Sequence, residues 1–223
     1  MSAPHRQAPQ QHPVPGARHR RAVDGSAEMA GAEGNERLTA MTGALLLVLF
    51  AAEGVTILSI HRLLTLHFFL GMLLVGPVVL KICSTLYRFA RYYTGAGPYV
   101  AKGPPAPLLR LLGPLVIATS TAVIGTGVAL AFTGPHRGLW LLAHKASFVL
   151  WFGVMAIHVL AYAPKLPRLL VSGQFHGRAR AALAGRAARW LLLTASVAGG
   201  LVIAVLTMHL ASKWGFGGLV TGG

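Results

Sequence analysis

Five long apolar segments alternate with shorter polar stretches along the chain. They cover residues 38–60, 63–86, 111–132, 139–163 and 190–210. Each is close to the ~20 residues that an α-helix needs to cross the hydrocarbon core of a bilayer. The composition agrees, because 54% of the residues are hydrophobic and only 11% are charged, whereas soluble domains carry about 25% charged residues. The pattern predicts an all-α membrane protein, built as a five-span transmembrane helical bundle.

The two ends of the chain lack this pattern. Residues 1–34 are rich in Pro, Gln, Ala, Gly, Arg and His and show no apolar periodicity, which is typical of a disordered tail. Residues 215–223 follow the last span and are predicted to form a flexible C-terminal tail. The bundle therefore occupies residues 35–214, which leaves no room for a soluble catalytic domain.

Two local features predict how the spans bend and pack. Gly76-Pro77 lies inside span two and predicts a kink, because proline removes a hydrogen bond of the helix. Ala195 and Gly199 stand four residues apart in span five. Small residues at this spacing let another helix approach closely, so we expect them to form a packing face.

Basic residues are distributed unevenly among the polar stretches. The formal net charge is +15, and the excess lies after spans two and four, at Arg88, Arg91, Lys102, Arg110, Lys165, Arg168, Arg178, Arg180, Arg186 and Arg189. The loops after spans one and three hold only Arg62 and Arg137. By the positive-inside rule this predicts a multi-pass protein of the cytoplasmic membrane, with a cytoplasmic N-terminus and an extracytoplasmic C-terminus. Membrane topology explains the charge, so no nucleic-acid partner is expected.

The chain has a single cysteine, Cys83, inside span two. One cysteine excludes an intrachain disulfide, a cysteine-ligated iron–sulfur cluster and a covalent CxxCH haem site. Any metal chemistry therefore depends on other ligands.

Histidines inside the apolar segments are the strongest functional candidates, because ionisable groups are costly in a membrane. His67 lies four residues into span two and His144 five residues into span four, and both spans are predicted to run from outside to inside. The two imidazoles should therefore share a depth of ~6–10 Å below the outer surface. We expect Glu53 of span one, and Gly125 and Gly127 of span three, at the same level.

This outer group predicts a haem site. Neutral imidazoles are standard axial ligands of haem iron, which makes His67 and His144 the candidate metal ligands. Glu53 would orient one ligand from the second shell, and Gly125 would leave room for a flat ring. The alternative is ordinary hydrogen bonding between helices by the same side chains.

A second, inner site looks incomplete. His158 lies fourteen residues after His144 on the same span, which places it ~21 Å further along the helix on nearly the same face. The groups expected opposite it are Lys81 and Met41, and the first span offers no histidine there. A lysine ligand must first lose its proton. We therefore predict one haem b at the outer side, with the inner site empty and His158 bonded to a carbonyl or water.

The chain resembles the bacterial membrane-embedded cytochrome b subunits, the cytochrome b-561 and formate dehydrogenase gamma-like bundles. The resemblance covers roughly residues 35–165, and it is carried by the segments HFFLGMLLVGPVVLK, from His67, and HKASFVLWFGVMAIHVL, from His144 to beyond His158. The chain is also similar to uncharacterised actinobacterial membrane proteins with RLTAMTGALLLVLFAAEGVTIL, YRFARYYTG and KGPPAPLLRLLGP. The departure from the family is the missing histidine in the first span.

The resemblance implies a four-helix haem-binding core, transmembrane electron transfer through b haem, and a redox partner protein with a molybdenum, nickel–iron or other centre. The chain would then be an electron-transfer subunit rather than a stand-alone catalyst. Two further functions stay open from the residues themselves. One is a haem-free transporter or proton-coupled membrane protein that uses Glu53, Lys81 and His158; the other is a structural membrane anchor for a redox enzyme.

Overall fold

The computed structural model describes residues 15–101, 103, 107–134, 138–162 and 185–214, and within them every regular element is helical. The helices are α1 (Pro15–Leu58), α2 (Ile60–Tyr93), the short α3 (Gly97–Val100), α4 (Pro107–Thr133), α5 (Gly138–Tyr162), α6 (Arg186–Thr207) and a final 3-10 helix (Met208–Trp214). Five stretches are long and apolar enough to cross a membrane, namely Gly31–Leu58, Ile60–Tyr93, Arg110–Thr133, Gly138–Ala161 and Arg186–Trp214. The predicted all-α, five-span architecture is confirmed.

The first helix begins earlier than the sequence suggested. It starts at Pro15, so residues 15–34 of the predicted disordered tail are helical. Proline is favoured in the first turn of a helix, and the five alanines between residues 15 and 34 favour its continuation. Residues 1–14 and the predicted C-terminal tail at 215–223 lie outside the described residues.

Helix α2 is the centre of the bundle. It packs most extensively against α1 and α6, while α5 packs mainly along α4. One buried cluster joins α1 to α2 through Leu46, Leu74 and Val78. A second joins α2, α4 and α6 through Met72, Ala131 and Ala204. Most other apolar side chains face outward, as expected where lipid is the solvent.

The tightest packing is the crossing of α2 and α6. Pro77 has no N–H, so the Leu73 carbonyl four residues earlier loses its partner within the helix. That carbonyl faces the backbone of Gly200, and the Ser196 carbonyl faces Gly76 in the same way; a Cβ on either glycine would overlap the opposing oxygen. The glycines therefore bring the two backbones together, at a distance suited to Cα–H···O contacts.

Two expectations from the sequence concern this region. The backbone at Gly76-Pro77 keeps helical angles, and the residue of α2 with non-helical angles is Leu63 (φ −110°, ψ 15°). On α6 the packing face contains Ser196 and Gly200, whereas a Cβ at Gly199 would meet nothing within 4 Å. One residue turns a helix by ~100°, so the predicted pair faces away from α2.

Polar side chains join α1 to α2 at the end where α2 finishes. The Asn35 side chain donates to the Ser84 carbonyl at 3.2 Å, and the Thr39 hydroxyl lies 3.2 Å from the Ser84 hydroxyl. The Lys81 amine donates to the Thr39 carbonyl at 2.6 Å. Lys81 therefore binds a neighbouring helix, and the positions of these groups fix the register of α1 on α2.

The close approach of α2 and α6 predicts that alanine substitutions at the adjacent positions 199 and 200 differ in their effect on stability. Gly200→Ala places a methyl group against the Leu73 carbonyl, and overpacking of this kind typically costs about 1–3 kcal/mol. Gly199→Ala meets open space, and alanine is the better helix former, so its thermal stability should be unchanged or slightly higher. Thermal unfolding of the purified variants in one detergent measures both. Equal stability of the two variants would contradict the assigned crossing.

Candidate functional site

The imidazoles of His67 and His144 meet between α2 and α5. Their ring centroids are 6.4 Å apart and the ring planes are inclined by 67°. His67 lies two turns after the start of α2, and His144 nearly two turns after the start of α5. The structure thus brings together the two histidines that the sequence placed at one depth.

Two oxygens of α1 lie beside Nδ1 of His67. The Thr56 hydroxyl, which donates to the Glu53 carbonyl at 2.5 Å, is 2.9 Å from Nδ1, and Glu53 Oε1 lies at the same distance. With its proton on Nδ1, a neutral imidazole would donate to these oxygens and carry its lone pair on Nε2.

His144 has the same arrangement on the other side. The Thr126 hydroxyl donates to the Ala122 carbonyl at 2.7 Å, and its oxygen lies 3.3 Å from His144 Nδ1. The Ser147 hydroxyl lies 3.0 Å from the Thr126 hydroxyl and 3.0 Å from the His144 carbonyl, and its single proton can serve one of the two. With its proton on Nδ1, His144 would donate to the Thr126 oxygen and carry its basic lone pair on Nε2.

Glycines make room for these side chains. A Cβ at Gly127 would lie 3.0 Å from Cε1 of His144, whereas a Cβ at Gly125 would meet nothing within 4 Å. Gly125, the predicted site residue, does not line the cavity beside the histidines. Two residues correspond to ~200° of helix rotation, so only one of these glycines can face His144. Gly71 has a similar position against Glu53, whose Oε1 lies 3.4 Å from the point that a Cβ would occupy.

A cavity of about 750 Å³ opens beside the two rings, between α1, α2, α4 and α5. Small-molecule and cofactor sites usually measure ~300–1,000 Å³. Its lining includes both histidines and Glu53, but most of it is apolar and aromatic, with Phe50, Phe68, Phe148, Trp151, Phe152 and Trp214. Helix α5 is the least buried of the five spans and packs mainly along α4.

Few polar groups line the cavity. Glu53 Oε2 is buried and has no hydrogen-bond partner among the described residues. A buried carboxyl oxygen without a partner is costly, so a group bound in the cavity would be favoured if it offered a donor. Lys145 also lines the cavity, and its side chain is exposed. The site therefore combines an apolar interior with a cation at its edge.

The residues predicted for an inner site do not form a comparable pocket. Lys81, His158 and Met41 all lie outside the cavity lining. Lys81 is near enough to interact electrostatically with His158, but its amine binds the Thr39 carbonyl. Met41 is only half-buried, on α1. The structure thus brings the outer residues together beside one cavity, whereas the three inner candidates do not line it.

Sequence reasoning missed the two threonines that orient the rings. Thr56 lies three residues after Glu53 on α1, and Thr126 immediately precedes Gly127 on α4. Residues three apart share a helix face, so a threonine following the only acid of the spans was the available signal. Thr126 gave no such signal, because its role depends on how α4 packs against α5.

Comparisons with known proteins found no relative of this chain. No protein-family model matches the chain, and neither the curated proteins nor the solved structures contain a match. Among the described residues, no group of three or more His, Cys, Asp or Glu side chains is arranged to hold a metal ion. Two histidines alone do not complete a coordination shell, so a metal at this site would need further ligands from a bound molecule.

Proposed function

We propose that this protein is a membrane-embedded b-type cytochrome subunit in which His67 and His144 are the axial ligands of haem b. The main support is the pair of imidazoles, whose ring centroids are 6.4 Å apart and whose Nδ1 atoms each lie beside a threonine hydroxyl. A metal held by two imidazole nitrogens at ~2.0–2.1 Å each sets the ring centres ~6 Å apart. The separation of the rings is thus compatible with two axial ligands.

The cavity supports the same proposal. Its volume of about 750 Å³ and its aromatic, apolar walls suit a flat macrocycle. Such a macrocycle would supply the four equatorial nitrogens that two histidines lack. Lys145, at the cavity edge, would then neutralise an acidic group on the rim of the ring. Because Gly127 has no side chain, the His144 imidazole would have room beside the bound group.

The residues of the chain would hold and tune this group. Bound haem supplies one-electron chemistry, and the protein supplies ligation, a low dielectric and exclusion of water. Thr56 and Thr126 would hold the two imidazoles in one tautomer. The Glu53 carboxyl would accept a hydrogen bond from His67, which would make that imidazole a stronger donor to iron. The single assembled site supports one haem per chain.

The position of the haem across the membrane would follow from the charge pattern. The basic end of the bundle is predicted to be cytoplasmic, so the histidine pair would lie toward the extracytoplasmic side. The chain would pass electrons across or into the membrane, to or from a redox partner protein. It would act as an electron-transfer subunit and not as a stand-alone catalyst.

A haem-free, proton-coupled membrane protein is the second candidate. The contact between Glu53 and His67 favours it, because a carboxyl–imidazole pair inside a membrane is typical of proton relays. The large apolar cavity beside the pair has no role in that function. Haem content therefore separates the two candidates, and it also separates the first from a purely structural anchor.

The two histidines should be required for haem while two others are not. His67→Ala and His144→Ala are each expected to remove the haem from a protein that still inserts, because one axial ligand is lost. His61→Ala and His209→Ala are the controls, since neither residue lines the cavity. The pyridine haemochrome assay on purified protein should give one haem per chain for the wild type and for both controls. Unchanged haem content in His67→Ala or His144→Ala would refute the ligand pair.

Gly127 and Gly125 offer a second matched pair. Gly127→Val pushes a side chain into the His144 ring, which must then leave its position. We expect haem content to fall by about tenfold or more, as for changes around metal ligands. Gly125→Val enters open space and should retain the wild-type content. The same assay measures both, and equal loss in the two variants would place the ring elsewhere.

The role of Glu53 is tested by the reduction potential. Glu53→Gln keeps the shape of the side chain but removes the negative charge that would stabilise the oxidised haem. The potential should rise by about 60 mV, the equivalent of a tenfold change for one electron. Glu36→Gln, on an exposed position of the same helix, is the control. A spectroelectrochemical titration measures both, and an unchanged potential in Glu53→Gln would remove this role.

A further inference from the structure

A second, smaller pocket lies at the other end of the bundle from the histidine pair. It has a volume of about 110 Å³ and is formed by α1, the end of α2, the connection through α3 and the start of α4. Its lining consists of Ala32, Thr85, Arg88, Phe89, Tyr92, Tyr93, Tyr99, Gly103 and Arg110. Water occupies ~30 Å³ per molecule in the liquid. The pocket therefore has room for a group of a few heavy atoms and is far too small for a cofactor ring.

Among the side chains that the structure describes, this pocket has positive charge and no acidic group. Arg88 and Arg110 come from different helices, and the described lining contains no Asp or Glu. Glu33 and Glu36 lie near Ala32 on α1 but stay outside the lining. Two cationic side chains that line one small pocket repel each other, so an anion bound there would stabilise the α2–α4 arrangement.

A third arginine, Arg91, contacts Tyr99 in the wall of the pocket. The Arg91 guanidinium lies 5.9 Å from the centre of the Tyr99 ring. Its Nε is buried and has no hydrogen-bond partner among the described residues. Tyr99 also packs edge-on against Tyr87, with ring centroids 6.2 Å apart. Arg91 thus adds positive charge to the aromatic wall, without an acidic residue of the described chain to neutralise it.

The aromatic wall indicates the environment of the pocket. Tyr92 and Tyr93 are in edge-to-face contact at 5.3 Å, and Phe89 stacks on Tyr93 at 6.3 Å. Tyrosine is enriched where a membrane meets water, because its ring is apolar and its hydroxyl is polar. Burial raises the pKa of Tyr99, so this hydroxyl remains a hydrogen-bond donor at neutral pH. An occupant would meet donors and positive charge at the level of the lipid headgroups.

We propose that this pocket binds the phosphate of an anionic phospholipid headgroup. Guanidinium groups bind phosphate oxygens through two parallel hydrogen bonds, which suits a phosphodiester better than a single point charge does. A lipid is favoured over free phosphate because Phe89, Tyr92, Tyr93 and Tyr99 line the pocket, and tyrosine is enriched where a membrane meets water. The lipid would hold the end of α2 against the start of α4.

Lipid binding by matched variants tests this proposal. The full chain in a non-ionic detergent is titrated with dioleoyl phosphatidylglycerol and, separately, with dioleoyl phosphatidylcholine, and bound lipid is counted by native mass spectrometry. We expect the wild type to retain phosphatidylglycerol preferentially. The double variant Arg88→Gln/Arg110→Gln should bind it roughly tenfold more weakly, since charged hydrogen bonds are lost. Binding of phosphatidylcholine should not change.

The controls separate this site from general charge. Arg62→Gln/Arg186→Gln removes the same charge from two exposed positions outside the pocket, so it should keep the preference. Equal loss in that variant, or equal binding of the two lipids by the wild type, would overturn the site. Displacement of the lipid by millimolar inorganic phosphate would assign the pocket to a free anion instead. Should the double variant not fold, an unchanged preference in Arg110→Gln, which alters an exposed side chain, would count against the proposal and a reduced one would support it.

Discussion

Backbone polar groups within a membrane must find their partners inside the protein, and this constraint explains most of the helix packing. The Leu73 carbonyl that Pro77 leaves unpaired lies against Gly200 of α6. The Lys81 amine binds a carbonyl of α1. Threonine hydroxyls donate to carbonyls of their own helices and lie beside Nδ1 of the two imidazoles. Each of these contacts fixes one helix relative to another, and together they position the histidines.

Helix α2 is where these contacts converge. Its crossing with α6 depends on two glycines, and its attachment to α1 depends on polar side chains near Ser84. His67 lies on the same helix, so its position follows from both interfaces. Helix α5 is held differently, because it packs along α4 and has little contact with α2. The space between α5 and α2 is the large cavity. A bound cofactor would fill that space and stabilise the folded chain by mass action.

The sequence was sufficient for the features that depend on local pattern. Apolar length predicted the five spans, and depth along the helices predicted that Glu53, His67 and His144 would meet. Features that depend on helix rotation were less accessible. Of the two glycines expected at the level of the histidines, Gly127 and not Gly125 faces His144, and Gly200 rather than Gly199 faces α2. In each case the sequence indicated the correct turn of the helix, but a rotation of ~100–200° decided which residue makes the contact. Thr126 was missed for the same reason.

The central claim is that two neutral imidazoles from different helices bind one haem iron. Low-temperature electron paramagnetic resonance of the oxidised, purified protein tests it most directly, because the signal of ferric haem depends on its axial ligands. The account predicts a low-spin ferric signal typical of two histidine ligands, at about one spin per chain. Protein produced with ample haem that contains no haem, or that shows only a high-spin ferric signal, would contradict the account.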